Sequence, residues 1–388
     1  MNVPIITRDL APLIHGAAEL ETTAHGIKPH RLPAWARAQC DDGQLAMAEA
    51  KPSGVRLRFR TSATCVELVA LPTKFAYVGV PPGPEGLYDL LVDGELFAQG
   101  AADSGHTLLI DMARGGMEHQ PGEPGSVTFT GLPAKEKEVE IWLSFREVTE
   151  VIELRTDAPV LPATPSTRRS WLHHGSSISH GSDAASPSRT WPAIAATLGQ
   201  VDLTNLGLGG SALLDPFVAR TIRDTPTDLI SVKIGINLVN LDLMRRRAFG
   251  PALHGFLDTI RDGHPDVPLL VVSPLFSAIH EDTPGPAMPV FDDGPTRFRA
   301  AGDPRGVAAG QLTLTVIREA MSGIVEQRRS TDHHLHLLDG LALYGSHDSE
   351  SHPLPDNLHP DAATHELIGT RFAEQVFSDG GAFSDQAV

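Results

Sequence analysis

The chain has 388 residues, with 31 Lys+Arg against 48 Asp+Glu and a formal net charge of −17 with histidine neutral. That acidic balance excludes nucleic acid and anionic membrane as main partners, because both need a basic footprint. A hydrophobic content of 41% excludes a largely disordered chain, and the length suits two domains.

The first residues, MNVPIITRDLAPLIHGAAEL, show no basic segment followed by an apolar run and a small-residue cleavage site. No window reaches about 18 uncharged apolar residues, so nothing reads as a membrane span. A soluble, cytoplasmic protein is the expectation. Cys40 and Cys65 are too few for a disulfide framework and lack the C-x-x-C spacing of metal or redox sites. Cys65 lies in an apolar alternating run and reads as a buried small hydrophobe.

Before residue 160, short alternating runs recur at Val55–Phe59, Cys65–Val69, Thr107–Ile110, Val127–Phe129, Val139–Leu143 and Val151–Leu154. Turn-rich pieces such as Gly115-Gly116 separate them, with no helical stretches between. Period-2 strands at this spacing predict an all-β sandwich, jelly-roll-like, over residues 1–160. Asp157–Pro165 carries three prolines and reads as a stiff connection, so residues 161–168 are assigned as a linker.

From 169 to 388 the pattern changes. Strand-like runs at Trp171–Leu172, Val201–Leu203, Leu229–Val232, Pro268–Ser273 and His334–Leu338 alternate with helix-compatible segments near 190–198, 211–223, 240–262, 306–328 and 361–377. Alternating β and α predicts an α/β domain with a five-stranded parallel, flavodoxin-like sheet, whose functional crevice lies at the carboxyl ends of the strands. The stretch Phe276–Gly306, rich in proline, is long for a connection in such a domain. It reads equally as a substrate-covering loop or as a slack one.

Four segments carry chemistry, each where a strand of this domain should end. They are His174–Gly181, Asn205–Ser211, Lys233–Asn237 and Asp356–Pro360. A serine between a small-residue turn and a helix can expose its hydroxyl, and a serine hydroxyl becomes a nucleophile when an imidazole takes its proton. Histidine suits that role because its unperturbed pKa is about 6.5. The G-x-S-x-G elbow is excluded, since Ser179 stands where it needs glycine. Asn205–Ser211 also overlaps a dinucleotide fingerprint, G-x-G-x-x-A, but Gly235 and Asn237 stand where that reading wants an acid.

These four blocks, in this order, resemble the SGNH (GDSL-type) hydrolase superfamily over residues 169–378. The superfamily's motifs are G-D-S-[LI]-[ST], N-x-G-x-x-G, G-x-N and D-x-x-H-P. The resemblance is strongest to the branch with a β-rich domain before the catalytic one, marked by G-x-D-L-Y ahead of a V-D-G turn. Here Asp89 and the Val92-Asp93-Gly94 turn are kept, while Leu87 and Leu91 replace the glycine and tyrosine.

The resemblance implies Ser177 as nucleophile, His359 as general base and Asp356 as its orienting carboxylate. It implies an oxyanion hole of the Ser177 and Gly210 N–H groups and the Asn237 amide. Ser176 stands where the family has aspartate, which predicts altered loop hydrogen bonding with the chemistry retained. Ser179 is the next candidate nucleophile.

The implied activity is hydrolysis of acyl esters, with acetyl or other short acyl groups on a carbohydrate or small polyol-like metabolite as substrate. No cofactor and no metal is required. The partner is a small-molecule or oligosaccharide acyl ester, and the β-rich domain is available to orient sugars, wall the cleft or mediate homo-oligomerisation. Two alternatives stand beside this. One is an acyltransferase with the same triad; the other is a non-catalytic carbohydrate-binding protein. His173/His174 and His333/His334/His336 read as structural histidines, because neighbours along a strand point to opposite faces. Trp35 and Trp191 read as packing residues.

Overall fold

Period-2 alternation gives the central early strands one apolar face, and those faces meet in a core containing Leu57, Phe59, Leu68, Tyr88, Leu90 and Ile141. The computed structural model describes residues 4–81, 83–111, 114–290 and 296–384. The chain divides into two units. One comprises Met1–Ala34, Glu49–Thr167 and the short piece Ser186–Ser188; the other comprises Trp35–Ala48, Arg168–Ala185 and Arg189–Val388.

The first unit is a sandwich of two sheets. One runs Gly116–Gln120, His106–Asp111, Cys65–Tyr77, Val148–Thr156, Ile27–His30, Glu19–Thr22; the other runs Leu161–Pro162, Arg56–Thr61, Lys137–Trp142, Leu87–Val92, Glu95–Ala101. Pairing is antiparallel apart from Cys65–Tyr77 against His106–Asp111, which is parallel. The Asp93–Gly94 turn joins Leu87–Val92 to Glu95–Ala101, as a two-residue hairpin loop. Cys65 is only half-buried, because it opens its strand instead of lying within it. Part of the proline-rich piece is strand: Leu161 and Pro162 pair with Arg60 and Phe59 at the sheet edge, where proline is tolerated.

Asp89, kept from the family signature, is fully buried, and its Oδ2 accepts from Ser186 Oγ at 2.6 Å, Ser188 N at 2.8 Å and Ser188 Oγ at 2.6 Å. The carboxylate thus secures the Ser186–Ser188 piece to the first unit.

In the second unit five strands form one parallel sheet: β1 (Ser170–Gly175), β2 (Asp202–Gly207), β3 (Leu229–Lys233), β4 (Leu269–Val272) and β5 (Leu335–Leu338). The order is β2-β1-β3-β4-β5, the doubly wound arrangement expected for a flavodoxin-like sheet. Its helices include α1 (Gly43–Ala50, whose last two residues fall in the first unit), α2 (Ser177–His180), α3 (Trp191–Leu198), α4 (Pro216–Asp224), α5 (Ile236–Asn240), α6 (Arg246–Gly263), α7 (Leu314–Arg328) and α8 (Ala362–Val376). The helix expected from 211 begins only at Pro216, since Leu208–Ser211 closes a tight turn with Ser211 N donating to Leu208 O. The one expected from 306 begins at Leu314, where Thr313 Oγ1 accepts from Val316 N.

The long Phe276–Gly306 connection contains a two-stranded hairpin, Ala287–Val290 against Arg297–Ala300; Pro295 lies outside the described residues. Among the described residues, no helix is long and apolar enough to cross a membrane.

Candidate active site

β1 delivers the chain at Gly175, and α2 starts two residues later at Ser177, with Ser176 as its N-cap accepting from Ile178 N. Ser177 is partly exposed, while its neighbours Ser176 and Ile178 are buried. The hydroxyl therefore stands at the carboxyl edge of the sheet where a ligand can reach it. His359 Nε2 lies 2.9 Å from Ser177 Oγ, and His359 Nδ1 lies 2.6 Å from Asp356 Oδ2. Three of the sequence-predicted residues, 182 positions apart at the extremes, form one hydrogen-bonded row.

The row is pre-organised from the carboxylate end. Asp356 Oδ1 accepts the backbone N–H groups of Leu358 and His359 at 2.8 and 2.6 Å, leaving Oδ2 for the ring. Burial by itself would push the Asp356 carboxyl up. The His359 ring and those two N–H groups together outweigh it and hold the group below the ordinary carboxylate range. An ionised carboxylate at Nδ1 fixes the tautomer in which Nε2 carries the lone pair that faces the serine. The Phe298 ring stands edge-on to His359 at 6.2 Å, and the hairpin that carries it docks through Phe298 N to Asp356 O (2.8 Å) and Asn357 Nδ2 to Phe298 O (3.0 Å).

The other predicted donors converge from two further loops. A Cβ placed on Gly209 would lie 3.7 Å from Ser177 Cβ, so the turn after β2 passes directly by the hydroxyl. Gly210 has φ +73°. Asn237, in α5 and 3% exposed, accepts from Ala212 N through Oδ1 at 3.1 Å. That bond leaves its NH2 as the donor on the opposite side of the amide and ties the Gly209–Ala212 loop to α5. Such an arrangement can take a proton from Ser177 and offer N–H groups to a developing oxyanion.

No protein-family model and no curated protein sequence matches the chain. Among solved structures, the salicylyl-acyltransferase SsfX3 from a tetracycline biosynthetic pathway superposes with a TM-score of 0.74, at 28% identity and over 95% of both chains. The chain has the fold of the SGNH (GDSL-type) hydrolases. A GDSL-like lipase from Bacteroides ovatus shares the SGNH fold at TM-score 0.66, with 17% identity over 95% of this chain and 96% of that one. So does a family two carbohydrate esterase from Clostridium thermocellum solved with cellohexaose, at TM-score 0.55 and 13% identity over 83% and 91%.

Within this SGNH domain, the Ser176 departure has a local role as the α2 cap. Ser179, the second candidate nucleophile, is fully buried and hydrogen-bonded through Oγ to His173 Nε2 at 2.8 Å. His173 in turn holds Ser231 Oγ at 2.7 Å, and burial drives its pKa well below the usual value, so it is a neutral structural ring. His174 Nδ1 lies 2.8 Å from Leu206 O. Trp191 is core; Trp35 is 41% exposed and carries the Arg220 guanidinium 5.3 Å from its ring. The dinucleotide reading of Gly207–Ala212 needs the turn to open directly into the next helix, whereas α4 starts only at Pro216.

The Asp183 carboxylate lies within 4.8 Å of ligand atoms of Asp356 and His359. Those ligand types suit a cation, yet Asp356 Oδ2 and His359 Nδ1 are already engaged with each other.

Two contributors were given no role in the sequence reading. Asn205 donates to Ser179 O and accepts from Gly207 N, so it clamps α2 to the end of β2. Its place in N-x-G-x-x-G was the available signal. Gln44, in α1, donates to Gly209 O at 2.9 Å, and no motif marks it.

Proposed function

We propose that the protein is a serine-dependent acyl-ester hydrolase with Ser177 as nucleophile, His359 as general base and Asp356 as the carboxylate that orients it. The Ser177 and Gly210 N–H groups and the Asn237 amide form the oxyanion hole. The observation that carries this reading is the unbroken Asp356–His359–Ser177 row, with Nε2 2.9 Å from the hydroxyl. In the reaction His359 takes the Ser177 proton as Oγ attacks the ester carbonyl, then returns it to the departing alkoxide. Water, deprotonated by the same ring, releases the acid and regenerates Ser177. The substrate class is a short acyl ester, acetyl foremost, on a carbohydrate or polyol. Support for the sugar comes from the fold shared with the cellohexaose-bound carbohydrate esterase.

A second reading has one observation in its favour. The full-length likeness to the acyltransferase SsfX3, at 28% identity, supports transfer of the acyl group to an alcohol other than water. The same acyl-enzyme serves both.

A fluorophosphonate probe tests the shared chemistry: it labels the wild-type protein, and Ser177→Ala abolishes both label and ester turnover, the latter by about 10⁴-fold or more. An adduct that survives Ser177→Ala would sink the assignment. Product analysis of an aryl acetate with and without an added polyol then separates the two readings, since only a transferase makes the polyol ester in preference to acetate.

A further inference from the structure

We infer that Gln44 is a positioning residue for the oxyanion hole, one that sets the direction of the Gly210 N–H from outside the four motif loops. The inference rests on the proposed role of Gly210.

Leu208–Ser211 is a tight turn closed by Ser211 N to Leu208 O at 3.0 Å, with Gly210 as its third residue at φ +73°. That is the pattern of a type II turn. Types I and II differ chiefly in the orientation of the central peptide, here the unit joining Gly209 C=O to Gly210 N–H. With glycine on both sides the flip meets no Cβ, so the turn by itself holds that peptide weakly. An oxyanion donor has the opposite requirement, because its contribution depends on being aimed before the charge develops.

Gln44 supplies the restraint. Its Nε2 donates to Gly209 O at 2.9 Å, and a Cβ on Gly210 would lie 3.1 Å from Gln44 Cγ, so the side chain rests along the whole dipeptide. In a trans peptide the C=O and N–H point in opposite directions. Holding the carbonyl on Gln44 therefore turns the Gly210 N–H away from α1, and among the described residues that N–H makes no hydrogen bond within the chain. A donor on the carbonyl also polarises the peptide and strengthens its N–H. The glutamine is itself anchored: Asp42 Oδ1 accepts from Leu45 N at 2.7 Å at the start of α1, and Leu45 is 4% exposed. Gly209 O also requires a donor, which assigns the amide's orientation.

The test uses the full chain with p-nitrophenyl acetate as substrate and an aryl boronic acid, whose tetrahedral serine adduct occupies the oxyanion hole, as inhibitor. In Gln44→Met, which keeps the length and loses the donor, kcat falls about tenfold with KM within about twofold, and boronate affinity weakens by the same factor. Gln44→Glu falls further at pH 8, where its carboxylate faces the Gly209 carbonyl, and recovers part of the loss as acid protonates it. Both variants melt at the wild-type temperature, since Gln44 is exposed. Unchanged kcat and boronate affinity in both variants would overturn the inference and leave the hydrolase reading intact. A fall in kcat without a matching loss of boronate affinity would also overturn it. A wild-type protein that neither turns over the ester nor labels at Ser177 would overturn the parent reading first.

Discussion

Lys233 ends β3 with its side chain 3% exposed, beside a small cavity also lined by Ile178, Leu275, Tyr344 and Leu358. Among the described residues no carboxylate compensates it, and burial pushes its ammonium down to about 8 from an ordinary 10.5. The folded value is depressed, so the unfolded chain holds the proton more tightly. The resulting cost is absent above about pH 10.5, grows as pH falls to about 8 and is full below that, at about 3 kcal/mol. Lys233→Met removes the charge at similar volume. It should stabilise the protein by about 2–3 kcal/mol at pH 7, with the gain shrinking toward pH 10.5, as read from urea unfolding at several pH values. Equal stability of the two proteins at pH 7 would mean that the amine is compensated. At this scale Ser177, Gly210 and Asn237 were legible as candidates beside glycines at strand ends, and Asp356 and His359 from their spacing before Pro360. That block lies in the turn before α8 and well past the end of β5 at Leu338, not at a strand end as expected. Asn205 was marked by its motif but not its role as a clamp on Ser179 O, and Gln44 acts through a contact 165 positions away, which leaves no local mark.

The elements matter through how closely their ends approach. β2 ends at Gly207, where a Cβ would stand 2.4 Å from His180 N and 2.5 Å from Ser179 C. Both are backbone atoms of α2, so Gly207→Ala must shift the helix that begins with Ser177. Overpacking of this kind costs about 1–3 kcal/mol, and misplacing a reacting group by about 1 Å costs about 100-fold in rate. The variant should melt several degrees lower and lose about 10- to 100-fold in kcat; full activity in a cooperatively folded variant would show that α2 does not depend on that contact. The five strands and the longer helices of the second unit followed from hydrophobic period, with helix starts shifted by several residues at Pro216 and Leu314, since each is a local pattern. The hairpin Ala287–Val290/Arg297–Ala300 did not, because its short exposed strands bury no apolar stripe, and its anchor is the Asp356–Asn357 loop.

Across the molecule, the sandwich holds its own pH-sensitive group. Glu147 is 2% exposed and accepts from Tyr88 Oη at 2.8 Å. Burial pushes its carboxyl up to about 7, against the pull of Tyr88 and of the Lys74 charge. A raised folded value means a stability contribution that is whole below about pH 4.5 and is lost as pH rises through about 7, about 3 kcal/mol in all. Glu147→Gln keeps an acceptor for Tyr88 without the charge. It should match wild type near pH 4 and exceed it by about 2–3 kcal/mol at pH 8, as read from urea unfolding at the two pH values; no difference at pH 8 would mean the carboxylate is solvated there. The sequence by itself determined the two architectures and marked the candidate loops, because strand period, helix period and glycine turns are written within about ten residues. Only the tertiary structure decided that Trp35–Ala48 belongs with the α/β unit, that Ser179 is sealed against His173, and that a glutamine from that early segment backs the Gly209–Gly210 peptide. Each of those depends on which surfaces meet when distant segments pack, and a contact between residues far apart in the chain has no periodicity to announce it.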